Sequence, residues 1–339
     1  PNLLPSNSLL GICDGDRAHK PQAINLIISL MTLSIVSTNK DPGPWIVALQ
    51  EIDPSLDIQV WPHEPEKSDV TFALCWKHPE GVLGDYPNLK CICSMGAGVD
   101  HLLNDPFLPQ DIPVIRLVDP LLAQSMFEYI CAAVMDFVRD FGVYRIQQQT
   151  SHWQQRVPKS INQMTIGLMG LGTLGEYAAV KFSAMGFNVV GWSRSPKSIA
   201  GVETYAGSAQ LTPFLAKTNI LVCLLPLTLQ TQGILNLDLF NALPQGAYLV
   251  NVARGEHLVE ADLITDLDIH QLQGAYLEVF QQEPLPEGHP FWTHEKIRVT
   301  PHCSSITDPR SVAPQIVENY RLMQTGGTLL NQVDISRGY

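Results

Sequence analysis

Three strand-like segments in the second half of the chain end in residues suited to acid–base chemistry. Leu249-Val250-Asn251-Val252-Ala253-Arg254-Gly255 reads as a buried strand that carries a guanidinium to its tip. Gly274 to Pro284 reads as a strand delivering two carboxylates, Glu278 and Glu283, and Val299-Thr300-Pro301-His302 as one delivering an imidazole. A guanidinium fork grips a carboxylate at two points. An imidazole exchanges protons near neutrality, and a carboxylate beside it favours its charged form. Such a set could hold a small anionic carbonyl compound and protonate the oxygen on which charge develops during reduction. Each residue alone has an ordinary explanation: a surface cation, a turn histidine after Thr-Pro, a solvated acid before proline. Their joint occurrence downstream of a dinucleotide motif gives them weight.

That motif is Thr165-Ile166-Gly167-Leu168-Met169, an apolar strand running into Gly170-x-Gly172-x-x-Gly175, with the helical pattern Tyr177 to Phe182 behind it. Gly170 permits the tight turn, Gly172 lets backbone approach a pyrophosphate, and Gly175 lets helix pack on strand. Phosphates then rest on the free amides of a helix N-terminus. Gly170, Leu171, Gly172, Thr173 and Leu174 are therefore expected at a cofactor. A second strand, Asn188 to Trp192, leads into Trp192-Ser193-Arg194-Ser195-Pro196-Lys197. An NAD site usually carries an acid here for the ribose 2′-OH. A hydroxyl and two cations suit a 2′-phosphate instead, which predicts NADPH (NADP+) over NADH.

The elements that must position these residues alternate between strand and helix, which implies α/β architecture with parallel sheets. Strands are predicted at Leu33–Ser37, Asp57–Trp61, Val70–Cys75 and Leu89–Ser94, with helices at Pro44–Glu51 and Val99–Leu103. Asp119-Pro120 caps and opens a long helix, and the polar stretch Tyr144–Ser160 reads as a long loop or arm. Further strands are expected at 164–169, 188–192, 219–224, 247–251, 273–279 and 297–300, and Thr307-Asp308-Pro309 starts a last helix stopped by Gly326-Gly327. The predicted division is a dinucleotide-binding domain at 119–303 inserted in a second parallel-sheet domain formed by 31–118 and 304–339, with the active site in the cleft between them. Residues 1–30 lack periodicity and read as an extension, non-native or disordered, with Met31 as a plausible native start.

At 339 residues the chain suffices for two such domains, and its net charge of −12 argues against nucleic acid or an anionic membrane as partner. No apolar run reads as a membrane span. Seven cysteines without metal-like spacing are expected to be reduced, in a cytoplasmic protein. Cys91 and Cys93 are expected on opposite faces of a strand, and His63, His78, His101 and His152 at the surface or in caps. No metal site is predicted.

The order of glycine fingerprint, Ala-Arg-Gly, Glu-Pro and Thr-Pro-His resembles the D-2-hydroxyacid dehydrogenase family from about Leu33 to Tyr339. Met95-Gly96-Ala97-Gly98-Val99-Asp100, Arg145-Ile146-Gln147-Gln148, Ser151-His152-Trp153-Gln154, Glu283-Pro284-Leu285-Pro286 and the ending Gln332-Val333-Asp334…Arg337-Gly338-Tyr339 resemble its bacterial glyoxylate/hydroxypyruvate reductase A branch. The resemblance implies that Arg254 holds the substrate carboxylate and polarises the keto oxygen. It makes His302 the general acid, and has Glu283 fix its tautomer and favour the charged ring. It implies a backbone clamp at Met95, Gly96, Ala97 and Gly98, an aromatic Trp45 near the pocket, and cofactor contacts at Trp192, Ser193, Arg194, Ser195, Lys197, Leu225, Pro226, Val252, Ala253, Glu278 and His302. It also implies a homodimer whose arm at 144–160 carries Trp153 to the neighbouring subunit. Most of the family has Asp where this chain has Glu278, which leaves cofactor geometry and pH dependence open. Cys303 has no assigned role. The expected reaction is NADPH-dependent reduction of glyoxylate to glycolate and hydroxypyruvate to D-glycerate. The alternatives are dehydrogenation of another D-2-hydroxyacid and a dinucleotide-sensing regulator on the same fold.

Overall fold

A computed structural model describes residues 31–269 and 271–338; the expectation for residues 1–30 lies outside the described residues. Five strands, β1 (Thr32–Ser37), β2 (Asp57–Val60), β3 (Val70–Trp76), β4 (Cys91–Ser94) and β5 (Val114–Ile115), form one parallel sheet in the order β2-β1-β3-β4-β5. The helices α1 (Gly43–Ile52) and α2 (Asp100–Leu103) follow β1 and β4. A parallel sheet needs cover on both faces, and β3 is accordingly buried at six of its seven positions.

The helices α3 (Pro120–Val138) and α4 (Phe141–Gln149) lead to a second parallel sheet. Its strands are β6 (Thr165–Met169), β7 (Asn188–Ser193), β8 (Glu203–Ala206), β9 (Ile220–Cys223), β10 (Ala247–Asn251), β11 (Leu272–Leu277) and β12 (Ile297–Val299), in the order β12-β11-β10-β9-β6-β7-β8. Between them run α5 (Thr173–Ala184), α6 (Leu211–Leu215), α7 (Leu237–Asn241) and α8 (Glu260–Ile269). Neighbours β6 and β9 feed connections that leave in opposite directions, and the crevice at such a switch point is where ligands of open α/β sheets bind. The last helix, α9 (Pro309–Thr325), returns to the first sheet. Its Val312, Ile316, Val317 and Tyr320 share a core with Leu49, Phe72 and Leu74.

Local chemistry explains the element ends. Asp119 accepts from the Leu121 N–H at 2.9 Å and Pro120 occupies the first turn, so α3 starts where predicted. This helix has the length and apolar character of a membrane span, but Ile130, Val134 and Phe137 are buried in the core. Asp308 caps α9, and Gly326 ends it in the left-handed region at φ 69°.

Four expectations are corrected. Residues 141–149 are helical, so only 150–160 of the expected arm is irregular. The sequence reading missed β5 and β8, short strands at sheet edges. Cys91 and Cys93 lie in the same core cluster while Ile92 faces the other, because positions two apart on a strand share a face. His78 is buried, 3.0 Å from Asp105, and His101 is half-buried against Trp76 with ring centroids 4.8 Å apart.

Candidate active site

The carboxyl ends of both sheets meet around a cavity of about 340 Å³. Trp76, Lys77, Asp100 and His101 line it from the first sheet, and Arg254, Glu283 and His302 from the second. The three residues predicted to do chemistry, from three different strand ends, are thus brought together.

Arg254 follows β10. Its Nε lies 3.0 Å from each oxygen of Asp100, Nη2 lies 2.8 Å from Asp100 Oδ1, and Nη1 donates to the Ala253 carbonyl at 2.6 Å. A two-point contact fixes the plane of the guanidinium. Burial alone would lower the Arg254 pKa, but the charge and hydrogen bonds of Asp100 outweigh it and the net shift is upward. Asp100 moves down for the same reason: burial opposes ionisation and Arg254 overcomes it. Gly255 is required by packing, since a β-carbon there would sit 1.9 Å from the Phe280 carbonyl carbon. Gly98 is equally constrained: its β-carbon would fall 2.0 Å from Arg254 Nη2. The guanidinium therefore lies directly on the Gly96-Ala97-Gly98 turn.

His302 stands at φ 48°, a left-handed backbone rare for a residue with a β-carbon. Its N–H donates to the Glu278 carbonyl at 2.9 Å, and its ring Nδ1 lies 2.9 and 3.1 Å from the two oxygens of Glu283. Glu283 also accepts from the Phe280 N–H at 3.2 Å. Burial pushes the Glu283 carboxyl up, but the hydrogen bond and charge of His302, that N–H and Lys77 together hold it below its ordinary value. It is a carboxylate at neutral pH, with Nδ1 fixed against it and Nε2 left for other work.

Glu278, 1 % exposed, accepts from the Ser304 N–H at 2.6 Å and from the Ser304 hydroxyl. Burial raises its pKa, opposed by those Ser304 bonds and by His302. Its carbonyl and carboxylate thus brace the turn at 302–304 from both sides. A second imidazole, His101, also lines the cavity, but its pKa falls to about 3, chiefly through burial. It stays neutral, and of the two imidazoles in the cavity His302 is the one whose ring nitrogen is hydrogen-bonded to a cavity carboxylate, Glu283.

The glycine loop has the geometry its spacing predicts. Gly170 sits at φ 105°, and a β-carbon on Gly175 would lie 1.9 Å from the Gly170 carbonyl oxygen. At Gly172 a β-carbon would meet nothing within 4 Å, so the space before the first amides of α5 is open. A pyrophosphate fits such a helix start. Gly172, Thr173, Arg194, Ser195 and Lys197 are exposed and Leu174 is half-buried. Leu171, Trp192, Leu225, Val252 and Ala253 are core side chains, and Ser193 donates to the Ser195 carbonyl at 2.7 Å. Pro226 presents its carbonyl to Thr231 at 2.7 Å.

Of the predicted substrate contacts, Met95 is fully buried and Trp45 is 4 % exposed, both in the core of the first sheet. Neither lines the cavity. Trp76 does, with its ring against Gly96 and Lys40 Nζ 4.2 Å from its centroid. Burial lowers the Lys40 pKa to about 8. The sequence reading missed Trp76, Lys77, Asp100 and His101. Asp100, two residues beyond Gly98, was the most accessible of these, because a carboxylate opening a helix beside a glycine turn also lies near whatever that turn holds.

Fold and site define a nicotinamide-dependent dehydrogenase of 2-hydroxyacids, with its chemistry at converging strand ends. The family model described as D-isomer specific 2-hydroxyacid dehydrogenase, NAD binding domain, matches residues 131–304, and the chain belongs to that family. It is 41 % identical over 301 residues to a glyoxylate/hydroxypyruvate reductase A of Serratia proteamaculans, covering 87 % of this chain and 96 % of the relative. A D-isomer specific 2-hydroxyacid dehydrogenase from Xanthobacter autotrophicus, solved with NADPH and MES, is 40 % identical with a TM-score of 0.88 over 91 % of this chain and 99 % of that one. An NADPH-dependent glyoxylate/hydroxypyruvate reductase from Sinorhizobium meliloti, solved with NADP and sulfate, is 36 % identical with a TM-score of 0.85 over 91 % and 100 % of the two chains.

Proposed function

We propose that the protein reduces glyoxylate to glycolate and hydroxypyruvate to D-glycerate with NADPH. The observation that carries this reading is the pairing of His302 Nδ1 with Glu283 at 2.9 Å beside Arg254 in one cavity. The relatives named above, reductases of these two acids among them, support the substrate class, and the cation-bearing loop at 193–197 supports the cofactor.

NADPH, when bound, supplies the hydride. Arg254 and the amides of the Gly96–Gly98 turn hold the substrate carboxylate, and Arg254 polarises the keto oxygen. His302 donates a proton from Nε2 to that oxygen as negative charge develops on it, and Glu283 keeps the ring oriented through Nδ1. A general acid so placed contributes on the order of 10²–10⁴-fold in rate. Arg194 and Lys197 would hold the 2′-phosphate, where an acid would select NADH. Reduced-nicotinamide absorbance with purified protein, either keto acid, and NADPH or NADH tests this directly. Turnover with NADPH is expected; turnover only with NADH would refute the cofactor assignment, and none with any small 2-keto acid would favour the sensor.

We further propose the two-domain division at 31–118 plus 304–339 and 119–303, a cytoplasmic setting and a homodimer. All six described cysteines are unpaired, as in reducing compartments. On the arm, Trp153 is 99 % and Val157 91 % exposed, apolar area that a second copy would cover. Light scattering should give a dimer, and Trp153→Asp a monomer.

A further inference from the structure

The cavity that Arg254 lines also carries a lysine, contributed from the first sheet. Lys77 follows β3, at the carboxyl end of a central strand, and its backbone sits at φ 43°. A non-glycine residue in that region is held there by its surroundings. Two contacts hold this one: the Thr38 hydroxyl donates to the Lys77 carbonyl at 2.8 Å, and the Lys77 N–H donates to His101 Nδ1 at 3.4 Å. So fixed, the side chain crosses the cleft and places Nζ 3.6 Å from Glu283 Oε2. Among the described residues that line the cavity, Arg254 and Lys77 are the arginine and lysine side chains.

Arg254 is already oriented by Asp100 and serves the carboxylate next to the reacting carbon. The Lys77–Glu283 pair is different. The lysine side chain is 45 % exposed and the contact is long, so the pair is weak. An ammonium on a four-carbon stem is easily redirected to a new anion. Gln281 and Gln282 also line the cavity, beside the rings of Trp76 and Phe280, so amides as well as the ammonium face a polar substrate tail.

We propose that Lys77 forms a distal anion subsite, so that the enzyme also reduces short 2-keto dicarboxylates, with Arg254 on the proximal carboxylate and Lys77 on the distal one. This rests on the reading of Arg254 and His302 given above and extends it to a second substrate class.

The test compares oxaloacetate with 2-oxobutyrate, a neutral-tailed acid of the same carbon number, in wild type, Lys77→Met and Lys77→Arg, with glyoxylate as reference. Wild type should favour oxaloacetate at least about tenfold in kcat/KM, a preference of the size one charge-assisted contact gives. Lys77→Met should bring the ratio close to one and Lys77→Arg should largely restore it. NADPH binding, read by fluorescence, should be the same in all three. Glyoxylate turnover without an oxaloacetate preference, or a preference that survives Lys77→Met, overturns the subsite alone. Absence of turnover with every keto acid overturns the reading beneath it as well.

Discussion

Ser304→Ala tests how His302, the proposed proton donor, is held. Ser304 gives Glu278 both its N–H and its hydroxyl, while the Glu278 carbonyl takes the N–H of His302. Removing the hydroxyl leaves a carboxylate oxygen buried and short of a partner, in a residue 1 % exposed. One charge-assisted bond of this kind is worth about 1.5–3 kcal/mol, and urea unfolding should show a loss of that size. With one brace gone, His302 can leave its left-handed backbone. A displacement of about 1 Å costs on the order of 10²-fold in rate, so kcat for glyoxylate should fall by roughly 10–100-fold while KM changes little. Glu278→Gln is the control, because its amide can accept from the Ser304 N–H and donate to the hydroxyl oxygen without a buried charge. The pH dependence follows from burial, which lifts the Glu278 pKa above its unfolded value of about 4.3. The stability this residue contributes is complete below the unfolded pKa and is lost as pH rises through the folded one. The Gln variant should therefore gain on wild type as pH rises above about 4.3, the unfolded value. Unchanged stability and kcat in Ser304→Ala, or a Gln variant that loses ground as pH rises, would refute the brace.

Glu283 titrates in the opposite sense. Its folded pKa lies below the unfolded value despite burial, so its contribution is present above about pH 4.3 and lost as pH falls through the folded pKa. Glu283→Gln should flatten the acid side of the thermal-melt profile and lower kcat by at least about tenfold; an acid limb identical to wild type would contradict this. Asp100→Asn should raise KM for glyoxylate about tenfold and cost on the order of 3 kcal/mol, the effect of stripping one side of a buried pair; an unmoved KM would mean that Asp100 does not position Arg254. Arg194→Ala should raise KM for NADPH about 10–100-fold, the size of one charge-assisted bond to phosphate, and leave that for NADH nearly unchanged; equal effects on both would reduce Arg194 to a solvated loop residue.

Strand ends and caps were legible in the sequence because their causes are local. The strand β10 was placed to the residue, and the glycine loop, Asp119-Pro120 and Asp308-Pro309 each act within a few positions. The helix α4 was read as part of a loop because Tyr144 to Gln149 is polar and Asp140 enters it at φ 54° without a side-chain cap. Its second turn forms in a context that composition does not display. Arg254, Glu283 and His302 could be picked out as candidates in the sequence because each follows a recognisable strand. Lys77 and Asp100 were missed since their importance arises across the cleft, from contacts between segments more than 150 residues apart. Burial of His78 depends on Asp105, 27 positions away, and no periodicity reveals such a partner.

The crowding at Gly255 has a bearing on how this site could be altered. Because its α-carbon presses on the main chain at Phe280 and Gln281, the segment bearing the guanidinium and the one leading to Glu283 behave as a single rigid part. Even an added methyl group would wedge the two apart and misplace both functions at once. Redesign for new substrates has its freedom elsewhere, in the glutamine amides and the lysine at the mouth, where side chains can change without moving the frame.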